Sequence, residues 1–435
     1  MKETLNVGMI GFGNIGAGVL RSLERNRALI DSRLPCAIRV TRICDIDLTT
    51  KRNAPYDPAM LSSDTEAMLG DGAIDVVLEL TGKIEIARQF ILKALRGGKH
   101  VVTANKALLA LHGGELMRAA VENEVCLLFE AAVGGGIPLI RTLHQGLAAN
   151  NIRAVSGIIN GTANYILTNM TEKGLDFAVA LKQAQELGYA EPDPTFDIEG
   201  HDTAHKLAVL ATLCFDQDVH FDDVSREGIT RITALDIAFA RQMGYTIKLL
   251  GIAKRAEDGA IEVRVHPTLL SADSRLASVG GVFNAVQIHG DLTGSVILSG
   301  RGAGPDPTSS AVLSDLMALA SGKDEGGLRR EMRLCLPGSP KRIRPMRELV
   351  TRYCVRFALN DVAGALAQVL AILGRHGVSI ESMEQQAHDP SEDFAHVIVM
   401  THEAREEQVQ SALREVRGLS ISRADPFVLR IEDVG

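Results

Sequence analysis

Asp202 and Lys206 stand four residues apart in the run "HDTAHKLAVLATL", and on a helix that spacing puts both side chains on one face. On spacing alone the pair reads as a surface ion pair, the ordinary outcome of such a pattern. The stretch 184–206, "AQELGYAEPDPTFDIEGHDTAHK", surrounds it with Glu191, Asp193, Asp197 and Glu199. The same residues admit a rival reading, because His201, Asp202 and His205 spell H-D-x-x-H, close to the zinc-protease H-E-x-x-H. That chemistry needs a glutamate base and a third ligand, and no downstream motif supplies them.

A second constellation runs from Gly11 through Phe12, Gly13, Asn14 and Ile15 to Gly16, which spells G-x-G-x-x-G. The first glycine permits a tight turn, the second lets backbone approach a pyrophosphate, and the third allows close helix–strand packing. A helix starting there offers free N–H groups and a favourable dipole to the phosphates. Asp45, in "RICDID", sits where a carboxylate would take the ribose hydroxyls of NAD. Lys51 and Arg52 could meet the 2′-phosphate of NADP if their loop folds back, so both cofactors stay open.

These residues need elements to hold them. Short apolar runs at 5–10, 38–44, 74–80, 100–103 and 125–129 alternate with helical periods such as 84–95 and 108–121, the pattern of a parallel sheet covered on both faces. From about residue 138 to 300 the pattern becomes α+β. A strand-like run at 154–159 precedes a helix near Thr162, and β-rich stretches follow at 260–265 and 294–298. The segment 323–349, rich in Gly, Pro and charge, suits a linker. The tail reads β-α-β-β-α-β, a ferredoxin-like order. The predicted fold is α/β: a dinucleotide-binding Rossmann domain at 1–136 (completed by 302–322), a catalytic and dimerisation domain at 137–301, and a tail domain at 350–432.

A chain of 435 residues exceeds what one core usually serves, and its 46% apolar content can fill several. The net charge of −8 argues against nucleic acid, whose phosphates reward a basic surface. The six cysteines show no paired spacing, as in a reducing compartment, and the glycine-rich start makes a poor signal peptide. No apolar run approaches the length of a membrane span. A cytoplasmic enzyme is the expectation.

The glycine loop and the block 184–206 together closely resemble the homoserine dehydrogenase family. Ala184, Gly188, Tyr189, Ala190, Asp193, Pro194, Asp197, Gly200, Asp202 and Lys206 match each element of that family's pattern. "VVTANKALLA" around Lys106, "FEAAVGGGIPLI" around Glu130, "IINGTANYIL" around Asn160 and "GRGAGPDPTSSAV" near Gly304 agree. The resemblance implies interconversion of L-homoserine and L-aspartate 4-semialdehyde, on the route to threonine, methionine and isoleucine, with NADP or NAD. It makes Lys206 the proton donor, places Lys106 in the cofactor and substrate cleft, and gives Glu191 and Asp202 to the substrate. It brings Gly188 and Gly304 to the cofactor, and a sodium ion to Glu130, Val133, Gly135 and Ile137, largely through carbonyls. Two lysines in one cleft would lower each other's pKa.

The tail resembles an ACT domain, a small-molecule sensor. An effector would dock near Asn360 and Gly364 in "NDVAGALAQV", with L-threonine as the expected one; Ala363 departs from the proline usual before that glycine. With no kinase-like region ahead of residue 1, the monofunctional form is expected, as a homodimer or homotetramer. An enzyme still active after a cut near Pro340 is a further expectation. The alternatives are an aspartate-semialdehyde dehydrogenase, which needs a nucleophilic cysteine in a recognisable loop, and a catalytically silent amino-acid sensor.

Overall fold

The computed structural model describes residues 3–321, 336–385 and 394–433. Its first unit alternates β1 (Thr4–Ile10), α1 (Asn14–Arg25), α2 (Arg27–Asp31), β2 (Ala37–Cys44), β3 (Leu61–Ser62) and α3 (Thr65–Gly70). It continues with β4 (Val76–Glu79), α4 (Glu85–Arg96), β5 (His100–Thr103), α5 (Lys106–Glu122) and β6 (Leu127–Leu128). The six strands form a parallel sheet in the order β3-β2-β1-β4-β5-β6. β4 is buried at all four residues, as a strand covered on both faces must be. The strand order reverses between β1 and β4, and ligands of such sheets bind at that switch, beyond the carboxyl ends.

The second unit holds α6 (Leu139–Arg141), β7 (Ile152–Ile158), α7 (Gly161–Lys173), α8 (Phe177–Glu186), α9 (Thr195–Ile198) and α10 (His201–Phe215). After β8 (Ser225–Arg226) and α11 (Ala234–Gln242) come β9 (Tyr245–Arg255), β10 (Ile261–Ser271), β11 (Phe283–Gly290) and β12 (Gly294–Arg301). β12-β11-β7-β9-β10 is an antiparallel sheet on which α7 and α10 pack. α10 also packs on α5, which joins the two units beside the cleft. α12 (Pro305–Ala320) then returns to the first unit along α1.

The tail comprises β13 (Val350–Asn360), α13 (Ala365–Arg375), β14 (Ile380–Gln385), β15 (Phe394–Thr401), β16 (Ala404–Arg405), α14 (Glu406–Arg417) and β17 (Phe427–Ile431). Its sheet order, β17-β13-β15-β14, is the ferredoxin-like one. The tail is not a separate body, however. β17 pairs in parallel with β10, Thr268 against Arg430 and Leu269 against Ile431, so the two sheets are continuous. β13 buries apolar side chains on both faces. Tyr353, Val355, Phe357 and Leu359 sit under α13 and α14, while Cys354 joins Ile398, Met400, Phe427 and Leu429 in the core shared with the second unit.

The expected linker also needs revision. Its part 323–335 lies outside the described residues, but 336–349 is pinned: Ser339 N–H donates to Asp216 O at 2.9 Å, and Ile261 and Arg344 exchange bonds with Arg342 and Ile261 at 2.8 Å. Glycine, proline and charge here accompany a docked strap rather than a loose tether. No helix among the described residues is long and apolar enough to cross a membrane.

Candidate active site

The glycine loop closes β1. Gly11 takes φ +95°, and a Cβ on Gly16 would lie 2.6 Å from Gly11 O, so both positions demand glycine. Gly13 is different: its φ is −78°, and a Cβ would meet nothing within 4 Å. The fold therefore leaves open space where the fingerprint expects a pyrophosphate. Among the described residues no side chain caps α1, which leaves its first N–H groups for phosphate oxygens. A dinucleotide fits this loop.

Asp45 follows β2, its carboxylate accepting the Phe12 N–H at 2.5 Å and the Asp47 N–H at 2.9 Å. Arg52 does fold back. Its guanidinium sits 5.5 Å from the Phe12 ring centroid, donates to Phe12 O at 3.0 Å, and lies 3.7 Å from Asp45.

A cavity of about 630 Å³ opens between the two units, lined among others by Ile15, Lys106, Asn160, Asp202, Lys206 and Gly304. Gly188 and Tyr189 line it as well. Gly200, at φ +79°, turns the chain into α10, whose first two turns carry Asp202 and Lys206. Lys206 Nζ donates to Ile159 O and to Asp202 Oδ2, both at 2.7 Å. An ammonium has three N–H bonds, so one remains for a molecule in the cavity. Lys106, the first residue of α5, places Nζ 3.2 Å from Asp202 Oδ1. The spacing that reads as a surface pair is thus a buried one, with 10% and 7% of the two side chains exposed.

Burial lowers the pKa of Lys206; the Asp202 charge opposes that shift and the Lys106 charge adds to it. Desolvation, not the second lysine, is the larger cause. Burial alone would raise the Asp202 carboxyl, but the two lysines and its hydrogen bonds hold it well below the usual range. Asp197 is pushed up by burial and by Asp202. His205 is pushed down to about 4 by burial, and its ring stacks between Phe196 and Phe221 at 5.3 and 4.1 Å. The H-D-x-x-H histidines are therefore packing groups.

Glu191 is not brought in: it is exposed on the loop beyond Tyr189, outside the cavity lining. At the proposed cation turn, the Glu130 carboxylate accepts the Ile140 and Arg141 N–H groups at 2.9 Å each, capping α6. Each carboxylate oxygen thus already accepts one N–H bond, and the Ile137 carbonyl also accepts the Leu139 N–H. Burial pushes Glu130 up, and Asp315 beside it to about 7. A cation held by carbonyls of this turn would offset that crowding. Among the described residues no cysteine lines the cavity, and Cys214 is pushed up to about 12 by burial. Sequence reasoning missed Asn284, which lines the cavity from β11 without a motif to mark it, and Arg301 of β12, which stands inside "GRGAGPDPTSSAV" without being singled out there.

Comparison with known proteins returns homoserine dehydrogenase models over the first two units and an ACT domain over the tail. Models described as "Homoserine dehydrogenase, NAD binding domain", "Homoserine dehydrogenase" and "ACT domain" match residues 11–130, 138–317 and 355–420. A homoserine dehydrogenase of Synechocystis sp. is 42% identical, covering 98% of this chain and 99% of that protein. One of Pseudomonas aeruginosa is 40% identical, covering 99% and 100%. The crystal structure of a homoserine dehydrogenase from Thiobacillus denitrificans superposes with a TM-score of 0.92 at 39% identity, covering 99% of both chains. A hyperthermophilic archaeal homoserine dehydrogenase in complex with NADPH gives 0.59 at 26% identity, over 72% of this chain and 97% of that one.

Proposed function

The chain belongs to the homoserine dehydrogenase family, NAD(P)-dependent oxidoreductases acting on CH–OH, and on that premise we propose that it interconverts L-homoserine and L-aspartate 4-semialdehyde with Lys206 as proton donor. The observation that carries this reading is the Lys206 ammonium, buried, held by two acceptors and left with one N–H at the cavity.

The bound dinucleotide supplies the hydride for aldehyde reduction and takes it back in the reverse direction. The chain's own part is to deliver one proton to the oxygen that becomes the alcohol. Lys206 is suited to both directions, because its lowered pKa eases release of the proton and its recapture. Asp202 orients that ammonium, and with Lys106 it fixes the charge of the pocket. Gly11 to Gly16, Asp45, Gly188 and Gly304 are assigned to the cofactor. Asp45 suits a 2′-hydroxyl and Arg52 a 2′-phosphate, so kcat/KM for NADH against NADPH decides the preference. Glu191 is assigned to the substrate from the rim, reaching in only when a ligand draws its loop closed. Sodium is assigned to the carbonyls of Glu130, Val133, Gly135 and Ile137, where it would brace the crossing between units.

For the tail, Asn360 and Gly364 are proposed to bind L-threonine. Gly364 takes φ +83° at the start of α13, and Asn360 Oδ1 is buried without a partner among the described residues. Assembly into a homodimer or homotetramer is proposed through the second unit, whose sheet ends at the half-buried β12. A cytoplasmic location goes with biosynthetic relatives.

The test is dinucleotide oxidation with L-aspartate 4-semialdehyde in buffer free of phosphate and coenzyme A. Turnover is expected; a requirement for either addition would move the activity to an acylating semialdehyde dehydrogenase. Gly13→Val should raise the dinucleotide Kd at least ~10-fold with little change in melting temperature, because a Cβ there meets no protein atom within 4 Å and stands in the space expected for the ligand. Unaltered affinity in calorimetry would place the cofactor elsewhere.

A further inference from the structure

Asn160 sits where β7 ends and α7 begins, and it is 5% exposed. Its side-chain oxygen caps α7 by accepting the Ala163 N–H at 2.7 Å, which fixes the amide nitrogen as the group facing the other way. That nitrogen donates to Asp197 Oδ1 at 2.7 Å and to Asp202 Oδ2 at 2.8 Å. A primary amide has two N–H bonds, and both are used. The two carboxylates come from different elements, Asp197 from α9 and Asp202 from α10, and all three residues line the cavity.

We infer that Asn160 is a positioning residue, whose amide clamps Asp197 and Asp202 side by side and so fixes the carboxylate that orients Lys206. This rests on the reading of Lys206 as proton donor. Two buried carboxylates within reach of one amide repel, and without the donor between them one would turn away or take a proton. The charged neighbours of the pair are Lys206 on α10 and Lys106 on α5, both already engaged with Asp202. His205, on the same helix, is stacked and neutral. Neither lysine can replace the amide at Asp197 without leaving Asp202.

Two substitutions separate clamp from cap. Asn160→Ser keeps a good helix cap but has one short hydroxyl, which cannot reach both carboxylates. Asn160→Asp keeps shape and cap, and replaces the donor by a third acid. In the full chain with NADPH, Asn160→Ser should melt within a few degrees of the parent and bind NADPH unchanged. Assayed with the oxidised dinucleotide NADP, its KM for L-homoserine should rise at least ~10-fold, with a smaller fall in kcat. In Asn160→Asp the acid limb of kcat/KM should move to higher pH, because crowded carboxylates hold protons longer. A parental KM and pH profile in Asn160→Ser would overturn the clamp, as would equal losses of KM, kcat and melting temperature in Asn160→Ser and Asn160→Ala. Lys206→Ala tests the premise separately: full activity in that variant defeats the proton-donor reading whatever Asn160 does.

Discussion

In the cleft, Lys206 and Asp202 are buried against a cavity; at the seam between tail and second unit, Arg430 and Arg264 are buried against carboxylates alone. Arg430, 1% exposed, donates to Glu406 at 2.8 and 2.6 Å and to Glu227 at 2.9 and 2.7 Å. Arg264 pairs with Glu262 and Glu432, and Lys254 also reaches Glu432. Burial pulls the Arg430 guanidinium down, but its carboxylates more than offset that, so it never gives up a proton. The cleft ammonium has the opposite character: its pKa is lowered and one N–H is uncommitted. A buried cation held among carboxylates away from any cavity acts as a fastener, whereas one with an N–H open to a cavity is placed to act as a reagent.

The largest effect expected from this contrast is in the cleft. Lys206→Arg keeps the charge beside Asp202 but replaces an ammonium by a guanidinium that is a poor donor, and kcat should fall about 10²- to 10⁴-fold in steady-state assays. Retained turnover would mean that charge, not proton transfer, is what the position needs. At the seam the loss should be one of stability. Glu406→Ala strips Arg430 of its buried partner and should cost about 3–5 kcal/mol in denaturant unfolding, while the folded fraction keeps near-parental kcat. A cost near zero would make the seam ornamental.

The smallest effect is in the pH dependence of stability, where the regions occupy different windows. His205 is held neutral, with its pKa depressed to about 4 by burial. Only the unfolded chain takes that proton below about pH 6.5, so stability falls as pH drops from about 6.5 towards 4. Burial would raise Glu432, yet Arg264 and Lys254 hold it at about 2. Its contribution is present above about pH 4.3 and is lost as pH falls towards 2. Melting temperatures of His205→Phe should show a shallower upper slope, with a remainder from His266, also buried and neutral. Glu432→Gln should flatten the lower window alone. One undivided slope, insensitive to either change, would erase the distinction.

Much of the cleft is legible in the sequence, because local spacing carries it. The glycine triplet marks the loop, the i,i+4 pair predicts the face of α10, and strand–helix alternation gives the parallel sheet. Glu191 is the exception, since its place in the motif does not reveal that it is exposed outside the cavity lining. The seam is almost illegible. "FVLRIED" reads as a strand with nothing to mark its arginine, and Glu227, Glu406 and Glu432 lie too far apart in sequence for any pattern to join them. The same blindness makes the tail look excisable at Pro340. Cys354, Phe427 and Leu429 belong to the shared core, so a cut there would strip cover from the face that they bury. Asn160 falls between these cases: its place at a helix start is readable, but its grip on two carboxylates is a property of the fold.

The contrast between reagent and fastener is tested most directly by the same substitution at both places. Lys206→Met and Arg430→Met each replace a buried cation by an unbranched apolar chain, and kcat and unfolding free energy are measured on both proteins. The account predicts that Lys206→Met loses at least ~10²-fold in kcat and that any stability change is the smaller of the pair. It predicts that Arg430→Met loses about 3–5 kcal/mol of stability with kcat nearly intact. Equal damage to both quantities in both variants, or a catalytic loss at Arg430 matching that at Lys206, would contradict it.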